Sequence, residues 1–252
     1  MTLQTGRSRR DPIRDAAESA MLRLMGPAGV LSAEERSLLR RLHRFRETFA
    51  SGQVINETGE PASAQIVVEG WACRQRLLAG GGRQIIDFLL PGDAIAMADP
   101  LRPLDLECTV ALTRVESMDA VLLREIFALN DGRHDALKQM FLAGRRREEA
   151  RLIDRLVLLG SSPAQARMAH LLIELRDRQR AIGLSTGDSL RMPITHEQLG
   201  DALGLSVVHV SRTLTALKAE GLITVRSGWI TLLDEARLCA MGGYRVGQAR
   251  LH

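Results

Sequence analysis

The stretch 193–234, PITHEQLGDALGLSVVHVSRTLTALKAEGLITVRSGWITLLD, leaves few folds open to the chain around it. Thr195 followed by Gln198 is a capping-box start, which predicts a helix from His196 to Leu203 that Gly204-Leu205 stops. Ser206 can cap a second helix, in which Val210, Leu214 and Leu217 recur on one apolar face. At 100° per residue the opposite face carries Val208, Ser211, Arg212 and Thr215, the side chains a major groove would meet. Gly221 ends that helix, and the runs Leu222 to Arg226 and Trp229 to Leu233 flank Ser227-Gly228 as a hairpin wing. A mere packing hairpin would need neither the outward Arg212 nor the wing behind it. The pattern is that of a winged helix-turn-helix.

At these residues, LGLSVVHVSRTLTALKAEGLI followed by GWITLLD, the chain resembles the CRP/FNR family of bacterial regulators, named for the cyclic-AMP receptor protein and the fumarate-nitrate reductase regulator. The resemblance runs from about Leu31 to Leu238 and is strongest in the last third. It implies an α+β chain with an N-terminal cyclic-nucleotide-binding-like β-roll, a long dimerisation helix and a C-terminal winged helix-turn-helix. The corresponding divisions are 1–30 as an N-terminal extension, 31–133 as the β-roll, 134–160 as the dimerisation helix and 161–252 as the DNA-binding domain. The function implied is a homodimeric, sequence-specific transcription regulator that reads a two-fold operator. The alternative is a cyclic-nucleotide-binding regulatory subunit whose C-terminal domain binds protein. That alternative needs an intact phosphate cassette and no groove-facing arginine.

Composition bounds the rest. A chain of 252 residues, 45% of them hydrophobic, can build two cores, and a net charge of +4 permits a polyanion partner without requiring one. No run approaches the ~18 to 20 apolar residues that span a bilayer, and the N-terminus MTLQTGRSRRDPIRD lacks the apolar centre of a signal peptide, so a cytoplasmic protein with no membrane partner is expected. Cys73, Cys108 and Cys239 lie far apart, and all six histidines fall outside 44–118, which argues against a metal site in the barrel. The resemblance sharpens this, because the oxygen-sensing branch of the family holds an iron-sulphur cluster through closely spaced N-terminal cysteines, and the first 72 residues here contain none. No cofactor is expected and the effector is not specified. Cys73 or His43 could each ligate a haem iron singly, but both read more simply as structural residues.

Enzymatic chemistry finds no footing either: no Ser/His/Asp grouping on suitable turns and no GxxxxGK loop occur.

Along the chain, residues 1–12 are polar and basic, and 15–25 reads as a short amphipathic helix. Ser32-Ala-Glu-Glu35 is a capping box, predicting a helix to about Leu42 with Leu38, Leu39 and Leu42 inward. From Arg44 to Met118 short β-type runs alternate with Gly, Pro and Asp: Arg46 to Ala50, Gln65 to Glu69, Trp71 to Leu78, Arg83 to Leu89 and Cys108 to Ser117. Gly92, Asp93 and Arg102 are the candidate effector-pocket residues, read against the family's phosphate cassette. No Gly-Glu follows Gly92-Asp93, and Arg102 stands between Leu101 and Pro103, so cyclic-AMP binding of the usual kind is not expected. From His134 to Leu159 the pattern is helical. Leu142, Leu152, Leu156 and Leu159 lie near heptad spacing and form the candidate dimer seam, with the charged run 145–151 expected to be solvated. Gly160-Ser-Ser-Pro163 is the expected hinge, followed by a helix from Ala164 to about Ile182 and a polar loop to Arg191.

For a double-stranded DNA partner, base reading is assigned to Arg212, Ser211, Val208, His209 and Thr215, with Arg212 donating its planar fork to guanine O6 and N7. The family resemblance places a glutamate where this chain has Val208, and valine can offer only apolar contact, most naturally to a thymine methyl. Thr195, His196, Ser206, Lys218 and Arg226 are the phosphate candidates, and RNA polymerase is a candidate second partner.

Overall fold

The computed structural model describes residues 31–42, 44–57, 63–97, 108–128 and 132–244. The expected helix at 15–25, His43 and Arg102 lie outside these residues.

Helix α1, Ala33–Leu42, is held by the predicted capping box: the Ser32 N–H donates to Glu35 Oε2 at 2.7 Å and the Glu35 N–H to Ser32 Oγ at 3.1 Å. Leu38, Leu39 and Leu42 point inward, and so does Glu35, whose second oxygen accepts the Leu137 N–H at 3.0 Å. Eight strands follow: β1 Arg46–Phe49, β2 Val54–Asn56, β3 Gln65–Glu69, β4 Ala72–Leu77, β5 Arg83–Leu89, β6 Ala94–Ile95, β7 Cys108–Ala111 and β8 Val115–Asp119. They form two antiparallel four-stranded sheets, ordered β1-β8-β3-β6 and β2-β7-β4-β5. Phe49, Val67, Leu89, Ile95, Ala111 and Val115 fill the space between them.

The expected single strand from Cys108 to Ser117 is two strands, one in each sheet. The chain crosses at 112–114, where the Leu112 and Thr113 N–H groups both donate to Trp71 O, at 2.8 and 3.2 Å. Gly70 makes the crossing fit. Its φ is +88°, and a Cβ there would stand 2.1 Å from Arg114 O, so only glycine is accommodated.

Helix α2, Val121–Ala128, is not among the expected elements; the Asp119 carboxylate caps it by accepting the Val121 N–H at 2.8 Å. The long helix α3 spans Asp135–Ser161, passing through Gly160 before Ser162 turns extended ahead of Pro163. Helix α4, Ala164–Ala181, follows. The rest of the chain is β9 Ser189–Arg191, α5 His196–Leu203, α6 Val207–Ala219, β10 Ile223–Arg226, β11 Trp229–Leu232 and α7 Glu235–Gly242. Strand β9 falls in the stretch expected to be a loop and adds to the wing, giving a sheet ordered β10-β11-β9.

The largest core ignores the division at 160/161. One apolar cluster runs from Trp71, Ile85, Phe88 and Leu90 through Met168 and Leu172 of α4 to Leu199, Val210 and Leu238. Charges cross with it, and this corrects the expectation of a solvated run on α3. Glu148 is buried and pairs with Arg74 and Arg145, while Arg151 reaches Asp87 at 3.4 Å. Arg155, also buried, bridges Asp87 at 3.3 Å and Glu174 at 3.2 Å. Among the described residues no helix is long and apolar enough to cross a membrane.

Candidate nucleic-acid interface

Helix α5 has the expected ends. The Gln198 N–H donates to Thr195 Oγ1 at 3.2 Å, and the Thr195 N–H donates to Gln198 Oε1 at 2.8 Å. Gly204, at φ 63° and ψ 43°, closes the helix in the left-handed region that favours glycine. Gly200 has a different reason to be glycine: a Cβ would lie 2.4 Å from Leu205 O, so the chain can fold back beside α5 only if that atom is missing. The Ser206 hydroxyl then caps α6 by accepting the His209 N–H at 3.2 Å. Val210, Leu214 and Leu217 turn inward together with Thr213, whose hydroxyl donates to His209 O at 2.8 Å.

That packing fixes what faces out. Val208, His209, Ser211, Arg212 and Thr215 are all exposed, and no carboxylate among the described residues pairs with Arg212. Thr195, His196 and Ser206 are exposed at the starts of α5 and α6. The two hydroxyls already serve as caps, which leaves each an O–H to donate. Lys218 is exposed in the last turn of α6. Arg226 ends β10 opposite Trp229, where Ser227 at φ 49° and Gly228 at φ 78° make the tight two-residue turn of the wing.

Behind this surface, α4 and α7 anchor the helices through polar groups that sequence reading does not single out. Arg176 is wholly buried and donates to Asp177 at 2.6 Å, Glu235 at 2.7 Å and Asp188 at 3.3 Å. Gly242 packs where a Cβ would meet the His170 backbone at 2.8 Å, and its carbonyl lies 3.0 Å from His170 Nδ1. Arg167 caps the end of α5 through Leu203 O at 2.6 Å. These partners are 12 to 72 residues apart, apart from the adjacent Arg176 and Asp177, so no local spacing announces them.

Of the candidate effector-pocket residues, Gly92 and Asp93 lie among the described residues. Gly92, at φ 93°, turns the chain, and the Asp93 carboxylate accepts the Leu90 N–H at 2.7 Å and pairs with Arg178 of α4. Asp93 is thus committed to an ion pair between β-roll and α4 rather than offered to a ligand. Cys73 is wholly buried in β4, and burial pushes its thiol up to about 12, so it is poorly suited to bind iron as a thiolate. Among the described residues no group of His, Cys, Asp and Glu is placed to hold a metal ion.

Of the seam leucines, Leu142 and Leu156 are exposed, the latter by 72%, whereas Leu152 and Leu159 are half-buried. Leu159 faces the reading domain, lining a cleft with Arg167, His170 and Leu203. The exposed apolar stripe of α3 is instead Leu142, Ile153, Leu156 and Val157.

Comparison with known proteins agrees with this architecture. Residues 166–241 match the family described as the Crp-like helix-turn-helix domain. The nitrogen fixation regulation protein FixK of Bradyrhizobium diazoefficiens is 34% identical over 205 residues, covering 80% of this chain and 81% of that one. The chain belongs to the CRP/FNR family of bacterial transcription regulators. A second relative, the transcriptional activatory protein AadR of Rhodopseudomonas palustris, is 33% identical over 181 residues, covering 71% of this chain and 73% of its own length. The solved structure of FixK2 from Bradyrhizobium japonicum superposes with a TM-score of 0.67 at 25% identity, covering 78% of this chain and 96% of that one. As a CRP/FNR regulator the chain is a sequence-specific DNA-binding protein that controls transcription, and it is not an enzyme.

Proposed function

We propose that the protein is a homodimer that works in the cytoplasm, reads a two-fold operator by placing α6 in the major groove, and responds to no cyclic nucleotide in the way the family's cyclic-AMP binders do. The observation that carries the reading is Arg212, exposed on α6 with no carboxylate partner among the described residues and flanked by Val208, Ser211 and Thr215 on the same outward face. Arg212 donates to a guanine and Val208 meets a thymine methyl, so the half-site keeps the guanine and lacks a base pair that a glutamate would read. Thr195, His196, Ser206, Lys218 and Arg226 hold the flanking phosphates. The stripe Leu142, Ile153, Leu156 and Val157 of α3 packs on its counterpart in a second chain. RNA polymerase is the further partner where the regulator activates. No cofactor is required, and Asp93, held by Arg178, is not available to an effector.

The test is binding of purified protein to genome fragments, with and without cyclic AMP, followed by sequencing of the selected sites. A two-fold motif with half-sites about one helical turn apart, found equally in both conditions, is the expected result. Selection only with cyclic AMP would overturn the effector reading, and an unpaired motif would overturn the dimer.

A further inference from the structure

Strand β5 lies at the edge of its sheet, so alternate backbone carbonyls have no neighbouring strand to bond. Three helices supply or receive the missing partners. Arg155 of α3 donates to Ile86 O at 2.5 Å and to the Asp87 carboxylate at 3.3 Å. Arg178 of α4 donates to Phe88 O at 2.9 Å. At the other end the traffic reverses: Gln84 Nε2 donates to the backbone oxygens of Asp201 at 2.6 Å and Ala202 at 3.4 Å. Those carbonyls belong to the last turn of α5, where a helix has no internal donors left. Beside them, Arg83 Nε donates to Asp201 Oδ2 at 2.5 Å and Nη2 to Glu197 Oε1 at 3.2 Å.

We infer that β5 is a strut that fixes the distance between the long helix α3 and the DNA-reading pair α5 and α6, and that Arg83 and Gln84 are positioning residues for DNA reading. A strand held in a sheet has a set rise of roughly 3.3 Å per residue, so contacts at 83–84 and 86–87 hold α5 and α3 at a constant separation. Helix α6 follows α5 because Gly200 and Leu205 pack the turn between them without slack. The clasp leaves the reading surface open: Val208, Ser211, Arg212 and Thr215 stay exposed while Arg83 and Gln84 grip the far side of α5. The clasp and an open reading surface therefore coexist in one conformation. In a two-fold dimer built on α3 the strut sets the gap between the two recognition helices, and so the half-site spacing.

The spacing consequence rests on the dimer reading above; the strut itself does not. Full-length wild type, the double variant Arg83→Ala/Gln84→Ala and the exchanged pair Arg83→Asp/Asp201→Arg are compared on operators whose half-sites are moved apart base pair by base pair. In the double variant, binding to the best-spaced operator should fall about five- to tenfold and the preference over neighbouring spacings should flatten. Its salt dependence should match wild type, because no phosphate contact is removed. The exchanged pair should recover the preference in part. An unchanged spacing profile, or tighter binding that would make the clasp inhibitory, overturns the proposal. Hydrogen exchange on the free proteins tests the strut independently of dimerisation and of how the exchanged pair folds: amides at 199–203 should exchange faster in the double variant, and equal rates overturn the strut. If wild type itself shows no spacing preference, the two-fold reading falls and the exchange rates alone decide the strut.

Discussion

Arg212 and Lys218 stand on the same helix six residues apart, and their different chemistry predicts different failures. Arg212→Ala should remove ~1 to 3 kcal/mol of discrimination at one base pair and leave the others alone. Lys218→Ala should weaken all sequences alike and lower the slope of log affinity against log salt by about 1, which a salt titration on two unrelated operators measures. Asp87 poses the residue question inside the protein. Burial by itself would raise its pKa, but the guanidinium groups of Arg151, Arg155, Arg178 and Arg74 outweigh burial and hold the carboxyl well below the usual range. Its contribution to stability is therefore complete above the unfolded-state value near ~4 and is lost as pH falls towards the lower folded-state value. Asp87→Asn removes the acid that these arginines share and leaves them Glu174, Asp93 and Glu148, so it should cost ~1.5 to 3 kcal/mol at neutral pH and flatten the acid side of the profile of melting temperature against pH.

At the scale of elements, the reading unit was legible because its signals are local. Thr195 and Gln198 sit three residues apart, Gly204 marks a stop, and the apolar period of Val210, Leu214 and Leu217 says which face turns inward. Thr195→Ala should cost about 1 kcal/mol of stability through the lost cap, read by chemical denaturation. If the threonine hydroxyl also holds a phosphate, DNA affinity should fall at a temperature where the variant is fully folded. What escaped the sequence was non-local or short. Strand β9 is three residues, Ser-Leu-Arg, and becomes a strand only because β11 offers it an edge. The corner at 112–114 splits one β-type run between two sheets, and nothing nearer than Gly70 and Trp71 shows why. The acidic and basic residues of α3 read as solvated for the same reason. Their partners Arg74, Asp87 and Glu174 come from other elements, as do Arg167, His170 and Leu203 beside Leu159, and heptad spacing carries no sign of either.

Taken whole, the molecule joins its sensor-like barrel to its reading domain through a shared apolar cluster and through the arginines of α3 and α4. It should therefore melt in one calorimetric transition rather than two. On the proposed dimer through the exposed stripe of α3, Leu156→Glu should sediment as a monomer where wild type sediments as a dimer, with each chain folded and operator affinity lower. The shared cluster also bears on how such a protein can be rebuilt. Grafting residues 161–252 onto a foreign sensor would cut the apolar cluster that joins Trp71, Ile85 and Phe88 to the reading domain and would take from Arg178 the Phe88 carbonyl and Asp93. A chimera would need a matching apolar bed and matching acids, so this chain's halves should evolve, and be engineered, as a single inherited unit rather than as interchangeable parts.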